Sequence, residues 1–517
     1  MKKVSIYSFI ILLLLLSCNT DDFEYEYTGL NNKSTIDLKN ERNVLMEKFG
    51  FALMNSIKQS PRLRELIKTE ALKMFDKDYE VLIYSIIDTE LENGITFKEL
   101  INNNSKDDFQ LSKLLEIEPT LTILVPELPL DSFSAKSWDI SREIPALAIR
   151  TNTSNKAIMI SPEGEMSVIP EDAIPGFPVL VIKNNERVIC DLNNNNFSKY
   201  KTKVFLEKEG LKFKFWASSF DNTNEHKNLQ NNRLTLSLDQ KLIDAYSIYQ
   251  TNYPNLNGWQ RDYIYYGIQP SNPNGPFTND FKEHIRSFKM LGTGMSAYNL
   301  ISDQTGDPHY RNHHRIGTSH WTGGNYEFRV TTLINGTNGV GSEIINGFTV
   351  SPNDLFNLRY SIYTTGWWFW KRRWYRLESI SNKTVNVNVP IINWDLDVYS
   401  TSLKMFIEEV DLTTTTVITD TRTVKFATNF EFNSTLGEKV KLGLKFGASQ
   451  EITETHTVQR TFTQGNDELQ YVIANFGDKV IIQRTNLWLI GGVRSYYQTR
   501  EYSTGLCQFS LEPKRVQ

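Results

Sequence analysis

The run TTTTVITDTRTVKFATNFEFNSTLGEKVKLGLKFGASQEITETHTVQRTFT, residues 413–463, has the longest regular pattern in this chain of 517 residues. From Val424 to Phe462 every large apolar residue is even-numbered, and the odd positions carry mainly Lys, Glu, Asn, Thr and Gly. A period of two places one kind of side chain on each face of a strand. The run therefore predicts a long amphipathic β-hairpin that turns at NSTLGE, residues 433–438.

The apolar face of this hairpin has two interpretations. It covers one face of an ordinary sandwich, where the same alternation is required. Alternatively it enters a membrane, because the arms 424–432 and 440–448 are each nine residues long and a membrane-spanning strand needs about nine to eleven. With its Ser/Thr-rich flanks, the run resembles the insertion hairpin of aerolysin-type pore-forming proteins. That resemblance implies a pore-forming protein whose membrane-facing residues are Val424, Phe426, Phe430, Phe432, Val440, Leu442, Leu444 and Phe446.

Outside this run, helical periodicity comes first and strand-like segments follow. Apolar residues recur at helical spacing between positions 40 and 87, and Ser60 followed by Pro61 marks a helix start. After Pro119, and again from Asn252 onward, short β-rich segments are separated by Gly, Pro and Asn. The expected fold class is multidomain, with an N-terminal α+β domain followed by a β-rich, antiparallel sandwich-like C-terminal region.

The same patterns predict where the chain divides. The predicted segments are a signal peptide at 1–17, an acidic flexible tether at 18–39, the α+β domain at 40–205, a linker with a short helix at 206–250, the β-rich domain at 251–410, and the long hairpin with closing strands at 411–517. The last segment is expected to pack on, or to continue, the β-rich domain that precedes it.

The N-terminus predicts a cellular location. MKKVSIYSFIILLLLLSC, residues 1–18, has a charged start, a short apolar core and a small residue before a cysteine, as in a secretory signal. Its LLSC resembles the lipobox of bacterial lipoproteins, which implies that Cys18 becomes the lipid-carrying first residue of the mature chain. The acidic residues just beyond it resemble the export signal of surface lipoproteins. These features predict an outer-membrane lipoprotein that faces the cell exterior; the alternative for the acidic segment is a spacer that faces the periplasm.

Composition excludes some classes of function. The net charge of −4 and the pI near 6.1 argue against a general nucleic-acid binder, which would show a broad basic surface. Beyond Cys18 only Cys190 and Cys507 remain, too few for a disulfide framework or a thiolate metal site. The stretch 40–205 contains no histidine. Its scattered carboxylates are expected on solvated helix faces.

A histidine-rich segment, SDQTGDPHYRNHHRIGTSH at 302–320, is a candidate metal site. Imidazole and carboxylate side chains together can bind zinc or another divalent ion. The segment also resembles the first calcium-binding loop of C2 domains, which implies calcium. A polar loop whose histidines pack and hydrogen-bond is the alternative without a metal. The candidate ligands are Asp303, Asp307, His309, His313 and His320.

The run GWWFWKRRWYRLE, residues 366–378, is a candidate contact surface. If it forms a hairpin, its cations lie at the tip and its aromatic residues line the two arms. Trp with nearby cations suits a membrane–water interface or a flat ligand such as a sugar, whereas cross-strand aromatic pairs in a core are the structural alternative. The candidate contact residues are Trp367, Trp368, Trp370, Arg372, Arg373 and Trp374.

Three functions are consistent with these observations. The first is a membrane-anchored binding or interaction module without enzymatic activity, whose partners are the bilayer and a surface glycan, lipid or protein. The second is an aerolysin-like protein that inserts hairpin 424–448. The third is a divalent-metal-dependent hydrolase that uses the segment from His309 to His320. The first is the function we expect.

Overall fold

A computed structural model of the protein describes residues 35–516, apart from 107, 152–153, 171, 193–196, 224–237, 253–257, 303–319, 339–340, 367–371, 411–414, 428–429, 436–437, 446–450, 464–466 and 490–491. Internal contacts divide the chain into two units, residues 1–43 and residues 44–517. All the strands described below belong to the second unit.

Helices are concentrated in the first part of the described chain. The α-helices are α1 Thr35–Gln59, α2 Pro61–Lys73, α3 Ile83–Ile86, α4 Phe97–Asn103, α5 Leu111–Ile117, α6 Gln240–Tyr246, α7 Gln260–Tyr266, α8 Gly294–Ile301, α9 His320–Gly323 and α10 Pro352–Leu355. The predicted start of α2 is confirmed, because Ser60 accepts a hydrogen bond from the Leu63 N–H at 2.9 Å. Helix α1 begins at Thr35, inside the segment predicted as the tether.

The strands of the N-terminal half are β1 Glu80–Leu82, β2 Leu121–Leu124, β3 Ala146–Thr151, β4 Ser154–Ile160, β5 Met166–Ile169, β6 Ile174–Pro175, β7 Val179–Asn184, β8 Val188–Cys190, β9 Val204–Lys208 and β10 Leu211–Phe215. Six of them form one sheet in the order β1-β2-β7-β3-β4-β5. Only the β3–β7 pair is parallel in this sheet. Strands β1 and β2 are buried along their whole length in an apolar core, whereas the edge strand β5 is exposed except at Ile169.

The strands of the C-terminal half are β11 Asn274–Gly275, β12 Phe281–Met290, β13 Tyr326–Gly336, β14 Gly341–Val350, β15 Phe356–Thr365, β16 Arg372–Asn382, β17 Val385–Pro390, β18 Tyr399–Glu409, β19 Thr415–Ala427, β20 Phe430–Thr435, β21 Glu438–Lys445, β22 Glu451–Thr463, β23 Asp467–Asn475, β24 Ile481–Leu489, β25 Gly492–Thr499, β26 Glu501–Ser503 and β27 Cys507–Arg515. They pair in antiparallel sheets, mainly β14-β13-β18-β23 and β17-β12-β27-β26. The prediction of a β-rich, antiparallel C-terminal region is confirmed.

The two halves of the described chain share a sheet and a buried polar network. Strand β6 pairs with β16, so residues on both sides of the predicted linker contribute to one sheet. The residues predicted to be solvated in the first half include Asp76, Asp78 and Glu80, and the structure shows that this expectation is wrong. These carboxylates are buried because two cations of the same half, Lys183 and Arg187, are buried beside them.

This buried charge cluster comprises Asp76, Asp78, Glu80, Lys183, Arg187 and Glu327. Arg187 contacts Asp76 at 3.3 Å, Asp78 at 3.1 Å and the Glu327 carboxylate of strand β13. Lys183 contacts Glu80 at 2.8 Å and donates to the Gly323 carbonyl oxygen at 2.6 Å. Its carboxylates outnumber its cations, and burial raises the pKa of Glu80 to about 8.

The predicted long hairpin is present but is built in two stages. In the outer stage β19 pairs with β22 from Thr415 opposite Thr463 to Ala427 opposite Glu451. In the inner stage β20 pairs with β21, and the pairing of Thr435 with Glu438 places the turn as predicted. The alternation in the sequence is regular, but the pairing of β20 with β21 is interrupted. The register shifts between Glu431 and Phe432, beside Gly443, which is typical of a β-bulge.

Candidate interaction hairpin

A different hairpin carries Trp488, the most exposed large apolar side chain among the described residues. Among the strands that the structure describes, β24 and β25 pair only with each other, from Ile481 opposite Thr499 to Leu489 opposite Gly492. Most described side chains of both strands are exposed. We call residues 481–499 the exposed hairpin. Gly492 has a φ of +127°, a left-handed conformation that favours glycine where the second strand begins.

Buried hydrogen bonds hold the base of the exposed hairpin. The Gln260 side chain of helix α7 donates to the Ile481 carbonyl oxygen at 2.9 Å and accepts from the N–H groups of Val480 and Ile481 at 3.0 and 2.9 Å. On the second strand, the Tyr497 ring lies edge-on to Tyr246, with 6.0 Å between ring centroids. The base is therefore fixed to the body, which positions the rest of the hairpin.

Polar side chains occupy the middle of one face. Arg484 donates from Nε to Asn486 Oδ1 at 3.1 Å and from Nη2 to Ser495 Oγ at 2.9 Å. The Ser495 hydroxyl in turn donates to Asn486 Oδ1 at 2.8 Å. These three side chains cross-link the two strands, because Asn486 and Ser495 are directly opposite each other. A two-stranded ribbon is marginal alone, so this network stabilises the hairpin beyond its base.

The far end of the exposed hairpin is apolar on both faces. Trp488 lies opposite Val493 on one face, while Leu487 points to the other face. Trp488 is 85% exposed, Leu487 46% and Val493 47%. An exposed cluster of large apolar side chains, Trp among them, is typical of a surface that contacts another molecule or a membrane.

This hairpin was not predicted from the sequence, although a signal for it is present. NLWLIGG, residues 486–492, combines consecutive apolar residues with a Gly-Gly pair, a combination that indicates a hairpin turn. Consecutive apolar residues also occur in buried strands, so the run alone does not distinguish an exposed tip from a core segment.

The predicted Trp/Arg surface at 366–378 is partly a core feature. Trp374 is buried, donates from Nε1 to Thr365 Oγ1 at 2.9 Å, and lies edge-on to Phe177. Arg372 and Arg373 are in strand β16 and not at a hairpin tip, because β15 ends at Thr365, opposite Arg372, and Gly366 follows with a φ of +97°. Arg372 contacts Glu163 at 3.5 Å, whereas Arg373 is exposed. Trp367, Trp368 and Trp370 lie outside the described residues.

Of the predicted metal ligands, Asp303, Asp307, His309 and His313 lie outside the described residues. His320 begins helix α9. Among the residues that the structure describes, no group of three or more His, Cys, Asp or Glu side chains is placed to hold a metal ion.

The predicted membrane-facing residues of the long hairpin do not share one environment. Val424 and Phe426 are buried against the body of the protein. Because of the register shift, Phe432 lies opposite Lys441. Phe430, Val440, Leu442 and Leu444 lie in strands β20 and β21, while Phe446 is outside the described part of the chain.

The two described cysteines are free and buried. Burial raises the pKa of Cys190 to about 11 and that of Cys507 to about 12. Cys18 lies outside the described residues. Among the helices that the structure describes, none has the length and apolar character needed to cross a membrane. The chain matches no protein-family model, no curated protein and no solved structure.

Proposed function

We propose that this chain is a membrane-anchored lipoprotein at the cell surface that acts as a non-enzymatic binding or interaction module. The proposed binding function rests on the exposed hairpin. Its apolar end is exposed, and its base is fixed to the body by buried hydrogen bonds. A rigid support for an exposed apolar end suits recognition, since less conformational entropy is lost on binding. In this proposal residues 40–205 are an α+β domain and the C-terminal β-rich region carries the contact surface.

The anchoring part predicts that Cys18 carries the lipid. When cells that express the full chain are fed a clickable fatty acid, the wild-type protein is expected to incorporate the label and Cys18→Ala to lose nearly all of it. Cys190→Ala is the matched control, because it removes a buried thiol and leaves the proposed attachment point intact. Equal labelling of the Cys18→Ala and wild-type chains would remove the anchor from the proposal.

The binding part predicts that the exposed hairpin is covered in the cell envelope. Amide hydrogen exchange of residues 484–497 is expected to slow at least about tenfold in isolated envelopes relative to the detergent-solubilised full chain, because a bound partner protects the strand amides. Strand β5, which also exposes large apolar residues at Met166 and Val168, is the control and should exchange equally in both samples. If the hairpin amides exchange equally as well, the hairpin is not the binding surface.

A further inference from the structure

The charge of the exposed hairpin narrows the class of partner. Residues 481–499 include Arg484 and Arg494 and contain no Asp or Glu, although the chain as a whole has a net charge of −4. Arg494 lies opposite Leu487, one residue pair behind the pair formed by Trp488 and Val493. A cation is therefore held directly behind the apolar end, and the hairpin carries no negative charge to oppose an anionic partner.

The distribution of apolar side chains further limits the class of partner that the exposed hairpin can bind. A folded protein partner would cover one face of a two-stranded ribbon, but Trp488 and Leu487 point to opposite faces and both are exposed. A surrounding apolar medium accommodates both faces at once. Trp and Tyr rings favour the membrane–water interface, and Tyr496, on the same face as Leu487, is 48% exposed.

The length of the apolar end suits partial insertion. From Leu487 to Leu489, where strand β24 ends, the ribbon extends about 7 Å, given a rise of about 3.3 Å per strand residue. Interfacial segments bury their apolar parts about 5–10 Å into the boundary between headgroups and acyl chains, whereas spanning the hydrocarbon core requires about 30 Å. At that depth the guanidinium of Arg494 would be at the level of the headgroups, where anionic lipids attract cations.

We propose that the exposed hairpin inserts Leu487, Trp488 and Val493 into the interface of a bilayer that carries anionic lipids, with Arg494 at the headgroups. This inference rests on the proposed function and names the partner of the same surface. It concerns a second membrane contact, separate in sequence from the lipid at Cys18.

The test uses the full chain reconstituted into vesicles of phosphatidylcholine, with or without phosphatidylglycerol, in which part of the lipid carries brominated acyl chains that quench tryptophan. The chain has ten tryptophans, so the signal of Trp488 is the difference between wild type and Trp488→Phe. In vesicles that contain phosphatidylglycerol, the brominated lipid is expected to quench this Trp488 fluorescence. Arg494→Glu should shift the insertion equilibrium about tenfold or more toward the uninserted state in these vesicles.

Arg142→Glu is the charge-matched control, because Arg142 is exposed and lies far along the chain from the hairpin. It should leave the Trp488 signal unchanged, which excludes a general effect of net charge. The inference is overturned if Trp488 is not quenched in either vesicle, or if quenching is the same with and without phosphatidylglycerol and insensitive to Arg494→Glu. Should hairpin amides still be protected in envelopes, the proposed function survives with a protein or glycan partner. If they are not protected, both proposals fail.

Discussion

Replacing Arg187 by methionine is expected to lower the free energy of unfolding by about 3–5 kcal/mol, since it removes one partner of a buried ionic network. The side chain is fully buried and contacts Asp76, Asp78 and Glu327. Methionine retains most of the apolar volume of the arginine side chain. The loss of stability therefore results mainly from removal of the charge. A folded protein is stable by only about 5–15 kcal/mol in total, and the change should appear as a large decrease in the urea midpoint.

A second variant separates charge from packing. Adding Glu327→Gln to Arg187→Met removes one of the carboxylates that the first substitution leaves without its guanidinium, and should recover part of the lost stability. The loss in Arg187→Met should also be smaller near pH 5 than near pH 8, because protonation neutralises buried carboxylates. Arg142→Met, at an exposed position, should unfold like wild type. An unchanged midpoint for Arg187→Met would show that the network contributes little.

This cluster illustrates what sequence patterns do not reveal. The strand periodicity of residues 413–463 and the capping signal at Ser60 are local, so the hairpin and the helix start were predictable. The pairing of Arg187 with Glu327 depends on two segments far apart in the chain. No local signal distinguishes Asp76 from a solvated carboxylate, because its burial is decided by the position of Arg187.

The candidate site was predictable to a smaller extent. Period two predicts which side chains share a face, but not whether that face is covered. Trp374 and Trp488 each lie in a β-strand of a hairpin, with an arginine within four residues in sequence. The first is buried because β16 pairs with β6 and brings Phe177 against the ring, whereas among the described strands β24 has β25 as its only partner. Exposure at Trp488 therefore follows from sheet topology, which the local pattern does not contain.

Stability is expected to fall as pH rises from about 4 to about 7, and Asp262 is expected to account for a large part of that fall. Burial raises the pKa of this carboxyl from 3.8 to about 7. Its Oδ2 accepts the backbone N–H of Trp259 at 2.8 Å, and this hydrogen bond lowers the pKa by less than burial raises it. The folded state thus holds the proton that the unfolded state releases above about pH 4, so folding becomes less favourable until the folded group also ionises.

Asp262→Asn keeps an oxygen that can accept the Trp259 N–H but cannot ionise. The difference between the two pKa values corresponds to on the order of 4 kcal/mol at full ionisation. The variant should therefore gain stability relative to wild type as pH rises from about 4 to about 8, measured by urea unfolding across that range. Other carboxyls with a raised pKa, Glu80 among them, change stability in the same direction. The stability of Asp262→Asn should therefore still fall with pH, but less steeply than that of wild type.

The pH experiment needs a control substitution, Asp88→Asn, and must allow for His284, whose effect on stability has the opposite sign. Asp88→Asn changes an exposed carboxylate that pairs with Lys208 at the surface, and should give a curve parallel to wild type. His284 acts in the opposite direction, because burial lowers its pKa and favours folding as pH rises through the histidine range. That contribution is common to both proteins and cancels in the difference between Asp262→Asn and wild type. Parallel curves of stability against pH for these two proteins would contradict the prediction. They would show that the Asp262 carboxyl ionises in the folded state as it does in water, and that the fold does not shield it from solvent.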